Sequence, residues 1–386
     1  MPSERVLSIN RVGFLGGVER VILTAAASVK PLGWSTTLAC PAGDLAAEAR
    51  RQGLSVEEVD VCSLSLAKLG RSAGAPLQTA LQVGRVRQEL HDLALATGAS
   101  ILHAHHPAVV LQAASTRARL GTPLIWHVHE TAPMGLSYRV LASAVARHCD
   151  MFICVSRASR DMLRELGVPE QRTRLVYNAV DSSFRDSPKP AALPTEGPNV
   201  GIFGVLEPRK GHADLIRACA MLLRAWPGLQ LWIVGGESFE HYGHSRAELE
   251  QLVESLGFGP HVHFTGRRSD VPSLMAGMDA VVSASVAAES LPTVLIEASM
   301  LGVPVLGTDV GGTREIICDG ETGRLVAPRA PEKLAEGLAT LLGPGGKTLA
   351  RRSRAEAMLR FSGERFGADL AACYAELAHL AQERAQ

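Results

Sequence analysis

From end to end the chain alternates short apolar runs with longer stretches of helical spacing, and this alternation restricts it to parallel sheets covered by helices. In the first half, residues 5–10, 36–40, 100–103, 124–127 and 151–155 read as strands. Helical patterns fill the gaps, as at 19–30, where Val21, Ile22, Ala25, Ala26 and Val29 make one apolar stripe. Between Asp181 and Asn199 the chain becomes rich in proline and poor in apolar residues, which reads as an interdomain linker centred on 186–199. A second series follows at 200–203, 229–234, 262–265, 280–284 and 303–307. Since 386 residues exceed what one core normally supports, two domains are expected, at 1–185 and 200–362, with a last helical stretch in 363–386.

Composition excludes several classes. Lys plus Arg and Asp plus Glu are 39 each, so no overall basic excess points to nucleic acid. Residues 1–190 hold 21 basic and 16 acidic residues, a mild excess that fits an anionic acceptor or membrane surface less well than ordinary solvation. The seven cysteines, Cys40, Cys62, Cys149, Cys154, Cys219, Cys318 and Cys373, are scattered and odd in number, which favours reduced thiols in a cytoplasmic protein. The N-terminal residues lack the apolar core of a signal peptide, and no run could span a bilayer, so any membrane contact is expected to be peripheral, through the first domain at the inner face.

The chemistry-bearing residues gather where strands give way to helices. The segment from Ala284 to Gly312 sets Glu289 in a strand-to-helix loop and Glu297 about one turn into a helix over 293–301, whose preceding Pro292 suits a first turn. Both carboxylates could then face a crevice at the carboxyl ends of the strands. Gly311-Gly312-Thr313 permits a tight turn whose amides can face a phosphate. The second domain opens with Gly201-Ile-Phe-Gly204, then Arg209 and Lys210, two cations able to sit beside a diphosphate. At the front, Gly16-Gly17-Val-Glu19 leads into the first helix, a turn that lets the backbone approach an anion, and its spacing is not that of a dinucleotide-binding Gly-x-Gly-x-x-Gly. His103-Ala-His105-His106 and His127-Val-His129-Glu130 each follow an apolar run, and in a strand each His-x-His puts two imidazoles on one face. A zinc site there would lack a third acidic or cysteine ligand at recognisable spacing, so no metal is expected. Asn178 before Ala179 suits a structural turn, and 319–323 reads as a hairpin-like turn.

Glu289 and Glu297, with seven residues between them, resemble the E-x7-E region of the retaining GT-B glycosyltransferases, specifically glycosyltransferase family 4, and the likeness covers nearly the whole chain. It implies an α/β fold of GT-B architecture, two Rossmann-like domains whose parallel sheets face a central cleft, with the C-terminal helix crossing back to the first. It further implies that Glu289 contacts donor-sugar hydroxyls, Glu297 the ribose and Lys210 the phosphate. Gly16, Gly17, Arg209, Gly235, Arg267, Leu291 and Thr293 line the donor, His129 bonds a sugar hydroxyl beside the reacting centre, and His103, His105 and Glu130 line the acceptor side. Two positions depart from the family. Val205 stands where it has an arginine, and Pro292 lies in a loop that is usually glycine-rich, removing one amide donor.

The expected function is therefore a retaining transfer of sugar from a nucleotide-diphosphate sugar, without a cofactor, to a glycan, lipid-linked or small-molecule acceptor. No Asp-x-Asp occurs, so no metal clamp on the diphosphate is expected. Two alternatives stay open: a sugar-nucleotide epimerase of the same fold, and a non-catalytic nucleotide-sugar or glycan binder. Base and acceptor are not readable, and the acceptor is expected to meet loops at 62–78 and 130–139.

Overall fold

The computed structural model describes residues 4–61, 75–131, 136–186, 188–193, 197–237 and 246–385, without the side chains of 75–80, 136–138 and 384–385. It divides into two compact units, Met1–Ala179 with Gly363–Gln386, and Val180–Ser362.

The first unit is built on strands β1 (Glu4–Ile9), β2 (Trp34–Cys40), β3 (Ser55–Glu58), β4 (Ile101–Ala104), β5 (Leu124–Val128), β6 (Met151–Cys154) and β7 (Thr173–Leu175). They form one sheet in the order β3-β2-β1-β4-β5-β6-β7, every pair parallel. Helices α1 (Gly17–Val29), α2 (Asp44–Arg51), α3 (Ala75–Thr97), α4 (Pro107–Leu120), α5 (Leu136–Ala146) and α6 (Arg157–Glu165) connect them. Strand order reverses between β1 and β4, the switch point beyond which such sheets hold ligands.

Side chains alternate strictly across this sheet, because successive residues of a strand point to opposite faces. Leu7, Leu102, Ala104, Leu124, Trp126 and Phe152 pack on one side with Leu90, Val109 and Val145. Val6, Ile101, Ile125, Met151 and Ile153 pack on the other with Val21 and Val29 of α1.

The second unit repeats the plan. It contains helix α7 (Ser182–Arg185), then β8 (Asn199–Phe203), α8 (His212–Leu222), β9 (Gln230–Val234), α9 (Arg246–Ser255), β10 (Val262–Gly266), α10 (Val271–Ala276) and β11 (Ala280–Ser283). After these come α11 (Thr293–Leu301), β12 (Val305–Thr308), β13 (Arg324–Val326), α12 (Pro331–Leu342) and α13 (Gly346–Arg360). The parallel sheet runs β10-β9-β8-β11-β12-β13, with its reversal between β8 and β11.

The chain then returns to the first unit in α14 (Gly363–Ala385), whose Phe366, Leu370, Cys373, Tyr374 and Leu377 fill the face shared with α1. The approach is close: a β-carbon at Gly367 would lie 2.3 Å from the Ser28 carbonyl oxygen. Tyr374 also meets Trp34, ring centroids 5.1 Å apart.

Three differences from the sequence reading have physical causes. Strands β3, β7 and β13 were not anticipated, since SVEE, TRL and RLV are short and polar and carry no apolar run. The first unit ends at Ala179 rather than 185, because α7 packs on α11 of the second unit. The turn at 319–323, where the Gly320 N–H donates to the Gly323 carbonyl at 2.9 Å, leads into a strand parallel to β12 and so closes no hairpin. Cys40, Cys149, Cys154, Cys219, Cys318 and Cys373 are free thiols; Cys62 and the acceptor-loop residues 62–74 and 132–135 lie outside the described residues. Among the described residues no helix is long and apolar enough to cross a membrane.

Because Phe366 is fully buried at the centre of the α1–α14 face, Phe366→Ala is expected to cost about 3–5 kcal/mol in the first unit's unfolding transition. Leu359→Ala, at a side chain 73% exposed, should stay within about 0.5 kcal/mol. Urea denaturation of the full chain compares the two.

Candidate functional site

In the second unit the loops after β8, β11 and β12 lock together through backbone contacts. After β8 a short 3-10 turn, Pro208–Lys210, is closed by Gly211, whose φ of +71° and approach to the Ala284 carbonyl leave no room for a side chain. The Val286 N–H donates to the Arg209 carbonyl at 2.8 Å, joining that turn to the loop after β11. The Gly312 N–H donates to the Glu289 carbonyl at 2.8 Å, and a β-carbon at Gly311 would stand 2.0 Å from that same oxygen. One of the amides expected to face a phosphate, that of Gly312, is thus already used, and the glycines open a five-residue 3-10 turn, Gly311–Glu315, rather than an α-helix.

These contacts bring three expected site residues to one point. Oε1 of Glu289 accepts from Lys210 Nζ at 2.7 Å, from Ser285 Oγ at 2.8 Å and from Arg209 Nη1 at 3.1 Å. The Arg209 Nε donates to Glu207 Oε2 at 2.5 Å. The Glu289 side chain is only 11% exposed, and burial by itself would push its carboxyl up. The charges of Lys210 and Arg209, with the bonds from Lys210 and Ser285, outweigh that and hold it below its usual 4.5. Arg209 therefore supplies a guanidinium beside Lys210 although Val205 does not.

Around this point the other donor-side positions are arranged by their elements. Leu291 is buried, and Pro292 forms the N-cap of α11 while its carbonyl accepts the Leu295 N–H at 3.1 Å. Thr293 and Glu297, four apart on α11, share a helix face and are half-buried. Gly235 follows β9 and donates its N–H to the Gly266 carbonyl at 3.0 Å, and the Arg267 side chain lies over Gly236, with Cγ 3.2 Å from where a β-carbon would stand.

In the first unit Gly16 and Gly17 form the N-terminus of α1 at the end of β1, with open space where a Gly17 side chain would project. The Gly16 N–H donates to Glu19 Oε2 at 3.1 Å and Asn10 Nδ2 donates to Oε1 at 3.1 Å. Burial raises the Glu19 carboxyl, with these bonds working against it.

Beside this turn the two His-x-His pairs meet. His103 in β4 and His105 just past its end, with His127 in β5 and His129 just past its end, stand on the same sheet face as Ile101 and Ile125, because the strands pair with His103 opposite Ile125. Ring centroids are 4.2 Å apart for His127 and His129 and 4.5 Å for His103 and His105. One chain of contacts runs from Ser8 Oγ to His105 Nε2 at 3.0 Å, then from His105 Nδ1 to His129 Nε2 at 3.1 Å. The other runs from Tyr374 OH to His103 Nδ1 at 2.8 Å, then from His103 Nε2 to His127 Nδ1 at 3.2 Å. Burial drives His103 and His129 down to about 3, and His105 and His127 well below their usual 6.5, so all four are neutral. Glu130 sits at the rim, where its Oε2 accepts the His129 N–H at 3.1 Å. Sequence reasoning missed Ser285, Glu207, Ser8 and Tyr374 as partners. Tyr374 lies 271 residues from His103, and no local pattern could have signalled it.

Two Rossmann-like parallel units, each with a glycine turn beyond its switch strand, are the fold of GT-B glycosyltransferases, and solved structures bear this out. The structure resembles HepE of Anabaena, solved with UDP and glucose, at a TM-score of 0.81 and 25% identity, over 97% of this chain and 100% of that one. Residues 183–357 match the family described as Glycosyl transferases group 1, and residues 15–184 match Glycosyltransferase Family 4. The chain belongs to glycosyltransferase family 4. Among curated relatives, a phosphatidyl-myo-inositol mannosyltransferase of Mycolicibacterium smegmatis is 30% identical over 63% of this chain and 61% of its own. A D-inositol 3-phosphate glycosyltransferase of Corynebacterium urealyticum is 30% identical over 50% and 46%. The matched segments thus span less than two thirds of these relatives' lengths.

The depressed Glu289 carboxyl has a definite pH signature. With a folded value below the unfolded 4.5, its contribution to stability is present above 4.5 and is lost as pH falls through the lower folded value. Melting temperatures of the native chain and Glu289→Gln, compared from neutral pH down to about 3, should therefore converge only at the acid end. A difference that does not change with pH would show that the carboxylate's ionisation is not what holds the loops.

Proposed function

We propose that this protein transfers a sugar, with retention, from a nucleoside diphosphate sugar to a glycan, lipid-linked or small-molecule acceptor, without a metal on the diphosphate. The observation that carries the reading is the meeting of Lys210 and Arg209 on one oxygen of Glu289 at the strand ends of the second unit. In the structure the Glu289 carboxylate pairs with both cations, and Glu207 with Arg209 as well. An arriving diphosphate, doubly charged and rich in acceptors, replaces it as their partner, and Glu289 turns its oxygens to the sugar hydroxyls. Glu297, on the half-buried face of α11 with Thr293, is the ribose acceptor in this reading.

In the chemical step the bond from the anomeric carbon to the diphosphate oxygen breaks, its electron pair leaving with the diphosphate, and the acceptor oxygen bonds to that carbon and gives its proton to the departing diphosphate. Charge builds on the leaving diphosphate, where Lys210 and Arg209 act, in the place of the metal ion that a chain lacking Asp-x-Asp does not hold there. His129, neutral and held through His105 by Ser8, offers a hydrogen bond to a sugar hydroxyl. His103, His105 and Glu130 belong to the acceptor side, and Gly16 and Gly17 present the α1 N-terminus to negative charge. Retention rests on the family resemblance, and the likeness to HepE supports a uridine donor among the bases.

A thermal-shift panel of UDP, GDP, ADP and dTDP with their sugar conjugates tests this, since a ligand that binds only the folded protein raises the apparent melting temperature by mass action. One nucleotide should give a clear shift that Lys210→Ala and Glu297→Ala remove. With that donor and an acceptor panel, Lys210→Ala and Glu289→Ala should lower turnover by roughly two orders of magnitude or more. A chelator should leave turnover intact; loss of turnover restored by Mg2+ or Mn2+ would overturn the metal-independent step. Conversion of the donor sugar without an acceptor would make the chain an isomerase, and binding with no turnover a sugar-nucleotide binder.

A further inference from the structure

The histidine grid of the first unit holds more than an acceptor wall requires. Read along the sequence, each His-x-His offers two ligands and no third at a recognisable spacing. The pairing of β4 with β5 supplies the third: His103, His105 and His127, all buried, each place a ring nitrogen so that the three atoms lie within 4.8 Å of one another. We propose that these three imidazoles form a binding site for a borderline divalent metal ion, Zn2+ before others, with the fourth position taken by His129 Nε2 or by water.

The geometry is close to what zinc needs. A tetrahedral ion about 2.0–2.1 Å from each nitrogen holds its ligands about 3.3 Å apart. His103 Nε2 and His127 Nδ1 already stand at 3.2 Å, and His105 Nδ1 and His129 Nε2 at 3.1 Å.

The surroundings are those of ligands rather than of a plain hydrogen-bonded core. A ligating histidine usually has its other ring nitrogen bonded to a neighbouring polar group, which fixes ring orientation and tautomer. Here His103 has Tyr374 OH on Nδ1 and His105 has Ser8 Oγ on Nε2, leaving His103 Nε2 and His105 Nδ1 facing the other rings. His127 is fully buried and turns Nδ1 towards His103 Nε2, while its Nε2 has no hydrogen-bond partner, so of the three rings this one alone lacks an outer partner. Three nitrogens and no carboxylate among them select zinc or cobalt over Mg2+ or Ca2+.

An ion here ties β4 to β5, and through Tyr374 it stiffens the docking of α14. Removing it should lower the melting temperature of the first unit.

The test uses the full chain freed of metal by chelator dialysis and titrated with Co2+, whose visible absorption reports tetrahedral nitrogen ligation, followed by displacement with Zn2+. The expected result is one equivalent of Co2+ bound, its spectrum lost on adding Zn2+, and an apparent melting temperature raised by Zn2+. His127→Ala, at a residue with no place in the transfer site, should weaken binding at least 100-fold. Tyr374→Phe keeps all three ligands and should weaken it about 10-fold, which carries the test if His127→Ala fails to fold. Absence of stoichiometric binding by the folded native chain, or unchanged affinity in Tyr374→Phe and in a folded His127→Ala, overturns the site.

Discussion

One carboxylate oxygen, Oε1 of Glu289, holds the end of the second unit's sheet together. It accepts from the turn after β8 through Arg209 and Lys210 and from its own loop through Ser285. Without that negative charge two adjacent cations would face each other across a half-buried loop, so the position of each depends on the other's shared partner. The backbone repeats the same connection: the Arg209 carbonyl takes the Val286 amide, and the Glu289 carbonyl takes the Gly312 amide. Side chain and main chain thus both join the loops after β8 and β11, the main chain adding the loop after β12, and this is possible only because Gly211 and Gly311 let backbones approach to distances no β-carbon permits.

The first unit poses the opposite electrostatic problem. Its centre strands bury four imidazoles where their neighbours along the strands are isoleucines, and the solution is neutrality with shared bonds rather than charge pairing. The hydroxyls that end the two chains of contacts come from distant sequence, Ser8 on β1 and Tyr374 on the returning α14. The C-terminal helix is therefore more than an apolar cover, because it completes a buried polar network that the first 179 residues leave unfinished.

Much of this was legible in the sequence, and the gaps follow from what local patterns encode. The helix 293–301 was readable to the residue because Pro292 and Gly302 bound it, the latter in the left-handed conformation. Buried parallel strands such as LIWHV announce themselves by continuous apolar runs, whereas the edge strand SVEE buries almost nothing and has no such run. Glu289, Lys210 and Arg209 were recognisable as residues, but their common oxygen was not, since it depends on two loops 80 positions apart. The histidine pairs were visible one strand at a time. Their union into a square required the register of β4 against β5, which no spacing within either pair contains.

The same geometry decides how the departures from the family pattern should be weighed. Pro292 removes one amide from the loop before α11, and Gly312 spends its own on the Glu289 carbonyl, so two backbone donors that a glycine-rich site could offer an anion are absent at once. In the donor-binding reading proposed above, anion recognition in this unit falls more heavily on side chains. Arg209 and Lys210 suit that task because both are held by a carboxylate they can exchange, and Arg209, 47% exposed, keeps enough freedom to follow an incoming group. Val205 lies two residues beyond the end of β8, in the segment that leads to the turn at Pro208–Lys210. Arg209 is carried by that turn and contacts Glu289, so a guanidinium stands beside Lys210 although position 205 has none.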